Sequence, residues 1–324
     1  MIRLAKRFLL ITPAIVAWDV AFAQEIVLRG VSAFPESTLY SSKFEAFVKK
    51  VNDAGKGTIR INYLGGAPKV MAPFEVGKSL RDGVVDIINN TGAYYTNVLP
   101  EGNALTLLEV SMADLRRSGG WEYVNRLHME KMRAFYLARV FNYERFHIYL
   151  NKDLRKPDFT GLKLRVTPVY RALVQKLGGT AVTSTPPEVY TLMERNTVDG
   201  YGWPTRGIFD FSLEKVTKYR IEPGFYNVDV SILVNSQVWQ QKLNDAQRRI
   251  LQSAAMEIEL SESDKGLNDA ERKRQAEAGI KEIRFSPEDE QRYLAVAREA
   301  AWEAVISASP EHGPKLKQFF TRGK

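Results

Sequence analysis

Arg165 sits in the alternating segment GLKLRVTP, residues 161–168, where an extended chain puts Leu162, Leu164 and Val166 on one face and Lys163 and Arg165 on the other. Thr167-Pro168 then opens a helix, so Arg165 stands near the strand's end. A guanidinium there can hold a carboxylate through two parallel hydrogen bonds, which fixes orientation as well as charge. The same placement also suits an arginine paired with an internal Asp or Glu. A second stretch, VDGYGWPT at 198–205, brackets Tyr201 between glycines and presses Trp203 against Pro204. Glycines permit a tight backbone. A tryptophan in such a turn must cover something: a core, a partner or a ligand.

Templates for turnover are missing. The three histidines, His128, His147 and His312, make no HExxH or other ligand spacing. There is no phosphate-cradling GxxxxGK[ST], no dinucleotide GxGxxG and no GxSxG elbow. Glu288 and Glu290 lie in a polar helical context and read as a solvated face. The chain has no cysteine, which removes thiolate catalysis, disulfides and most structural zinc sites. No cofactor and no metal are expected, and nothing in the sequence asks for an enzyme.

The elements around these stretches repeat an α/β order. Ile26-Val27-Leu28 opens a strand that ends in a loop at 32–37. A helix follows with Phe44, Phe47, Val48 and Val51 on one face, stopped by Gly55. Ile59, Ile61 and Tyr63 alternate as a strand. A helix from Pro73 runs into RDGVVDII, read as a buried strand, and the loop NNTGAYYTN. The second half does the same: FHIYL and LKLRV read as strands, and a helix after Pro168 carries Leu173, Val174 and Leu177. Thr185-Pro186-Pro187-Glu188 forms a capping box, whose helix leads to TVDGYGWP. Twice, a helix feeds a short Val–Asp strand that ends in a loop with glycine and aromatic residues. In such sheets, ligands sit beyond the carboxyl ends of the strands. The charged stretch 257–277 reads as a surface helix lying across both halves.

The 324 residues suffice for two cores. Arg3, Lys6 and Arg7 precede an apolar run at 8–16 and a small-x-small site at Ala21–Ala23. Residues 1–23 therefore read as an export signal, and no stable membrane insertion is expected after its cleavage. The net charge of +8 suits attraction of a small anion. No aromatic–basic stripe accompanies it, so no nucleic-acid partner is expected.

The segments FEAFVKKVNDAGKGTIRINYLGG, EVGKSLRDGVVDI, PDFTGLKLRVTPVYRALVQKLGGTAV, PPEVYTLMERNTVDG and VNSQVWQQKL, in that order, resemble the DctP-type solute-binding proteins of TRAP transporters. The resemblance covers essentially all of the chain beyond residue 23. It implies a periplasmic α/β protein of two lobes, each with a mixed sheet, with a hinged cleft and a long helix across both. It also implies closure on a small organic acid and delivery to a TRAP membrane permease. On that pattern, lobe I comprises 24–147 plus about 229–270, and lobe II comprises 148–228 plus about 271–324. The arginine that binds the ligand carboxylate in this family falls on Arg165. A second one, about twenty residues upstream and used by some members, falls on Arg145.

The chain departs from the family pattern after Val198-Asp199-Gly200. Many members continue with a polar, an acidic, an Asn and a Pro residue, and the Asn touches the ligand. Here Gly202 takes the acidic place and Trp203 the Asn place. A branch for 2-oxo acids has a similar Trp, but with an acidic neighbour that helps hold a metal ion. Gly202 offers no such oxygen, and sugar acids, which need several hydroxyl partners, lose support. Phe34, Tyr94, Tyr95, Phe209 and Tyr226 are each common core residues, but as a set on cleft loops they imply a ligand with an apolar body. The expectation is an aromatic 2-oxo or 2-hydroxy acid such as benzoylformate or mandelate. Its carboxylate would meet Arg165 and its ring Trp203, with Asn90, Thr91 or Thr167 beside the oxo or hydroxyl group. The alternative is an aliphatic 2-oxo or 2-hydroxy acid, or pyroglutamate; an enzyme or a sensor subunit on the same fold is the remaining rival.

Overall fold

The computed structural model describes residues 25–141, 144–260 and 265–322; the expected export signal at 1–23 lies outside them. The strands are β1 Ile26–Ser32, β2 Ile59–Gly66, β3 Ile87–Asn90, β4 Ala134–Arg139, β5 Arg145–Leu150, β6 Lys163–Val166, β7 Thr180–Thr183, β8 Gly200–Pro204, β9 Tyr219–Glu222, β10 Phe225–Asn227, β11 Ser231–Asn235 and β12 Lys281–Arg284. They form two sheets, one per lobe. The first runs β2-β1-β3-β11-β4, and the second runs β12-β9-β5-β8-β6-β7 with β10 on β5.

Both sheets are mixed. β1 pairs in parallel with β2 and β3, whereas β11 runs antiparallel to β3 and β4. In the second sheet β6 is parallel to β7 and β8, and β5 is antiparallel to β8 and β9. Because β11 follows the second lobe's strands in sequence yet returns to the first sheet, the chain crosses between lobes more than once. The first crossing falls between Arg139 and Arg145. β5 already belongs to the second sheet, so the change of lobe comes a few residues before the expected boundary at 147.

The local signals behave as their chemistry requires. Helix Leu39–Ala54 buries Tyr40, Phe44, Phe47, Val48 and Val51 on one face. It stops at Gly55, where a Cβ would meet the Ile59 carbonyl at 2.4 Å. The capping box at Thr185 forms, with the Thr185 amide donating to Glu188 at 2.7 Å. RDGVVDII is only partly strand. It turns at Gly83 with φ +75°, exposes Val84, and enters β3 at Ile87.

Helices Asp245–Leu260 and Lys265–Glu277 flank residues 261–264 and together pass from one lobe to the other. The first is tied to lobe I by Lys50–Glu257 and Arg116–Glu259 ion pairs. The second is tied to lobe II, where the Gln275 amide donates to the Thr205 carbonyl at 2.6 Å. The 22-residue helix Pro287–Ala308 also touches both, through a Lys176–Glu303 pair on one side and an Arg298–Glu109 pair on the other. No helix among the described residues is long and apolar enough to cross a membrane.

Candidate ligand-binding cleft

Between the two sheets lies a cleft lined by residues of both lobes. Its floor is Arg165 on β6, 1% exposed. The guanidinium donates to the Ser184 carbonyl at 2.7 Å, to Ser184 Oγ at 3.3 Å and to the Gly202 carbonyl at 3.4 Å. All of these acceptors are neutral, and no carboxylate of the described residues lies within ion-pair distance of it. Burial pulls its pKa down, opposed by Tyr94, Tyr170 and the more distant Glu188. Of the two possibilities left open by spacing, the internally paired arginine is absent. A buried cation without an anion is costly unless something supplies the charge.

Six of the eleven candidate residues share this cavity: Arg165, Trp203, Tyr94, Phe34, Thr91 and Thr167. Lobe I contributes Phe34 after β1, and Thr91 and Tyr94 after β3. Phe34 and Tyr94 stack obliquely, with centroids 5.8 Å apart. Burial pushes the Tyr94 hydroxyl up to about 12, so it stays protonated and can donate. Lobe II contributes Trp203 and Pro204 at the end of β8. The Trp203 ring lies 5.8 Å from the Arg165 guanidinium and 5.2 Å edge-on from Phe211. Its indole N–H is buried with no partner. Trp203 therefore belongs both to a small aromatic cluster and to the cavity wall.

Gly202 is required for a reason that spacing does not disclose. A Cβ there would lie 2.5 Å from the Tyr170 ring. The glycine lets that ring lie flat on β8 and line the cavity, while its own carbonyl accepts from Arg165.

The other five residues point elsewhere. Phe146 lines the cavity, so its strand neighbour Arg145 faces the opposite side of β5. Arg145 lines a second cavity behind the crossing strands, with Glu109, Glu222, Tyr226 and Trp302. Tyr226 is held there by donating to the Ala297 carbonyl at 2.6 Å. Tyr95 is wholly buried in lobe I, its hydroxyl 3.1 Å from His128 Nε2. Asn90 folds back to accept from the Thr91 amide and does not reach the cavity. Phe209 lies under the Arg274 guanidinium, 3.6 Å from ring to cation, on the outer face. An Arg145→Ala variant should therefore change ligand affinity less than twofold by calorimetry, since this side chain reaches no part of the cleft.

Several lining residues carry little sequence signal: Tyr40, Phe146, Tyr170, Phe211 and Asp229. Tyr170 could be found from Gly202 opposite it. Asp229 could be found as the lone acid in the apolar run NVDVSILV.

Contacts across the cleft hold the lobes together. The Leu39 amide at the first helix's start donates to the Asp210 carboxylate at 2.8 Å. The Tyr40 hydroxyl, 3.0 Å from both, is shared between Glu144 and the Arg206 carbonyl. Glu144, fully buried in the connector, also accepts from the Arg206 amide at 2.9 Å and its guanidinium at 3.1 Å. This is the closed arrangement of a two-lobed protein.

The family model described as bacterial extracellular solute-binding protein, family 7, DctP, matches residues 128–307. A TRAP periplasmic solute-binding protein from Desulfovibrio salexigens with bound orotic acid is 16% identical, with a TM-score of 0.79 over 91% of this chain and 97% of its own. A Bordetella pertussis extracytoplasmic solute receptor binding pyroglutamic acid is 15% identical, also at 0.79, over 91% and 99%. A TRAP solute-binding protein from Bordetella bronchiseptica, with copurified calcium and picolinate, is 18% identical at 0.78, over 92% of each chain.

Proposed function

The chain belongs to family 7 of the bacterial extracellular solute-binding proteins, and from that premise we propose that it captures a small organic acid by its carboxylate and presents it to a TRAP membrane permease. The observation that carries this reading is Arg165: a fully buried guanidinium on the cavity floor with only neutral acceptors around it. A ligand carboxylate supplies the missing charge in a site from which water is largely removed. Capture needs no bond-making group. His147 is wholly buried, with burial pulling its pKa down to about 4, and it lies outside the cavity. The protein works in the periplasm, by opening and closing around its ligand.

The body of the ligand is an aromatic 2-oxo or 2-hydroxy acid of the benzoylformate or mandelate kind. Phe34, Tyr94, Tyr170, Phe211 and Trp203 surround the cavity, and its lining is mostly apolar. Of the similar proteins named above, two hold planar ring acids, orotic acid and picolinate, and one holds pyroglutamic acid, so the flat-ring preference rests on the lining and not on them. A thermal-shift screen across flat-ring and aliphatic acids tests it, and stabilisation by aliphatic acids alone would reject it. Trp203→Asn sharpens the test. Loss of the ring wall removes about 0.5–1.5 kcal/mol of aromatic pairing in addition to buried area, so affinity for flat-ring acids should fall roughly tenfold or more. If such acids bind the variant as well as the wild type, Trp203 selects nothing.

A further inference from the structure

The charge at the cleft floor also bears on the empty protein. Among the described residues, the Arg165 guanidinium donates only to groups that travel with its own sheet: Ser184, just after β7, and the Gly202 carbonyl on β8. These bonds persist whether the lobes stand together or apart. Closure adds Phe34 and Tyr94 from the first lobe, which line the same cleft. Tyr94 is the leading electrostatic neighbour of Arg165, and burial keeps its hydroxyl protonated. Tyr170, the next, is likewise a protonated phenol. Glu188 is more distant, and its carboxylate accepts from the Thr185 amide and hydroxyl of the capping box. Shutting the lobes therefore leaves the guanidinium 1% exposed and brings it no negative charge. Burying a charge without a counter-charge is strongly unfavourable. The bonds that close the rim, from Leu39 to Asp210 and from Tyr40 to the Arg206 carbonyl, act in the opposite sense.

We propose that the uncompensated Arg165 charge holds the empty protein open, so that one side chain both anchors the carboxylate and sets the resting state of the lobes. This rests on the reading of Arg165 as the carboxylate anchor and gives that residue a second task. An empty, closed cleft sets a buried cation against the rim bonds, and the open form, in which water reaches the guanidinium, is favoured. A bound carboxylate supplies the missing charge through charge-assisted hydrogen bonds. The rim bonds are then unopposed, and the lobes shut. The ligand shifts the population because only the closed state lacks the charge that it brings. A receptor built this way stays ready to load when empty and presents its closed form only when filled. A permease that engages the closed form would thus meet cargo.

Distances between spin labels on the two lobes test this with the full chain. The protein has no cysteine, so Ala46→Cys on helix Leu39–Ala54 and Lys215→Cys in the turn Leu213–Val216, both exposed, place one label on each lobe. Unfolding in guanidinium and refolding first strips any carried ligand. The labelled wild type should then be mainly open. Arg165→Met and Arg165→Gln, which remove the charge, should each raise the closed-to-open ratio roughly tenfold or more with no acid present. Arg165→Lys keeps a cation and should stay open. An empty wild type that is already closed, neutral variants within about twofold of it, or a lysine variant that closes as the methionine one does would overturn the proposal. If Arg165→Met does not fold, Arg165→Gln decides. Calorimetry with benzoylformate separates the two tasks. Lost binding in the neutral variants with an unchanged ratio would reject the opening role and keep the anchor. A raised ratio with benzoylformate bound as tightly as by the wild type would reject the anchor and leave the opening role standing.

Discussion

Arg165→Ala should lower affinity for the captured acid a hundredfold or more, while Arg165→Met should raise the thermal midpoint of the ligand-free protein. Both follow from one observation: the guanidinium is buried and, among the described residues, hydrogen-bonded only to Ser184 and the Gly202 carbonyl. Removing one partner of a desolvated ion pair costs about 3–5 kcal/mol, and each 1.4 kcal/mol is roughly tenfold in affinity. Without ligand the same charge is a liability. Exchanging it for an apolar side chain of similar length should gain about 1–4 kcal/mol, less about 1 kcal/mol for the Ser184 acceptor left unmatched. A midpoint rise of up to roughly 6 °C is expected. At a hundred times Kd, the acid should add about 2.7 kcal/mol to the wild type and nothing to Arg165→Met. If Arg165→Met melts below the wild type and still responds to the acid, Arg165 is a structural residue and the anchor lies elsewhere.

Glu144→Ala should destabilise the protein by about 3–5 kcal/mol, whether or not ligand is present. Glu144 is fully buried at the connector and gathers the Tyr40 hydroxyl, the Arg206 amide and the Arg206 guanidinium. Burial raises its pKa, and Arg206 and Tyr40 oppose that rise. Alanine removes a carboxylate that accepts from three donors belonging to two lobes. The thermal midpoint should fall by roughly 5–10 °C. Glu144→Gln, which keeps the volume and one acceptor oxygen, should recover part of this. A fall of under 2 °C for the alanine variant would mean that the connector is held by other contacts.

The sequence reveals the architecture better than it reveals the cavity. Strand alternation at Ile59-Ile61-Tyr63 and the helix face of Phe44, Phe47, Val48 and Val51 are local signals, and tertiary packing agrees with them. The placing of Thr91, Tyr94 and Trp203 is readable because each stands at or just after the carboxyl end of a strand that faces the cleft. Arg145 shows where such reading stops. Its distance in sequence from Arg165 says nothing about parity along β5, and one residue's shift decides which face it takes. Tyr95, Tyr226 and Phe209 fail for a related reason: an aromatic in a short or irregular element packs wherever a hollow exists, and that depends on distant helices. Asp229 is the opposite case. Its neighbours are apolar and its carboxylate accepts from Gly92 and Ser231, a meeting that depends on the return of β11 to the first sheet.

The bonds that span the cleft bear on timing. Arg165, Trp203, Tyr94 and Phe34 are each under 9% exposed, so a captured molecule is largely enclosed while the lobes stay together. Departure must then wait for Leu39 to leave Asp210 and for Tyr40 to leave Arg206, a domain motion of the microsecond-to-millisecond class. Residence time is therefore set at the rim and not at the anchor. Weakening Asp210 would speed escape while leaving the selection made around Arg165 intact, and a docking partner that pries open the rim would unload the cargo without competing for its carboxylate.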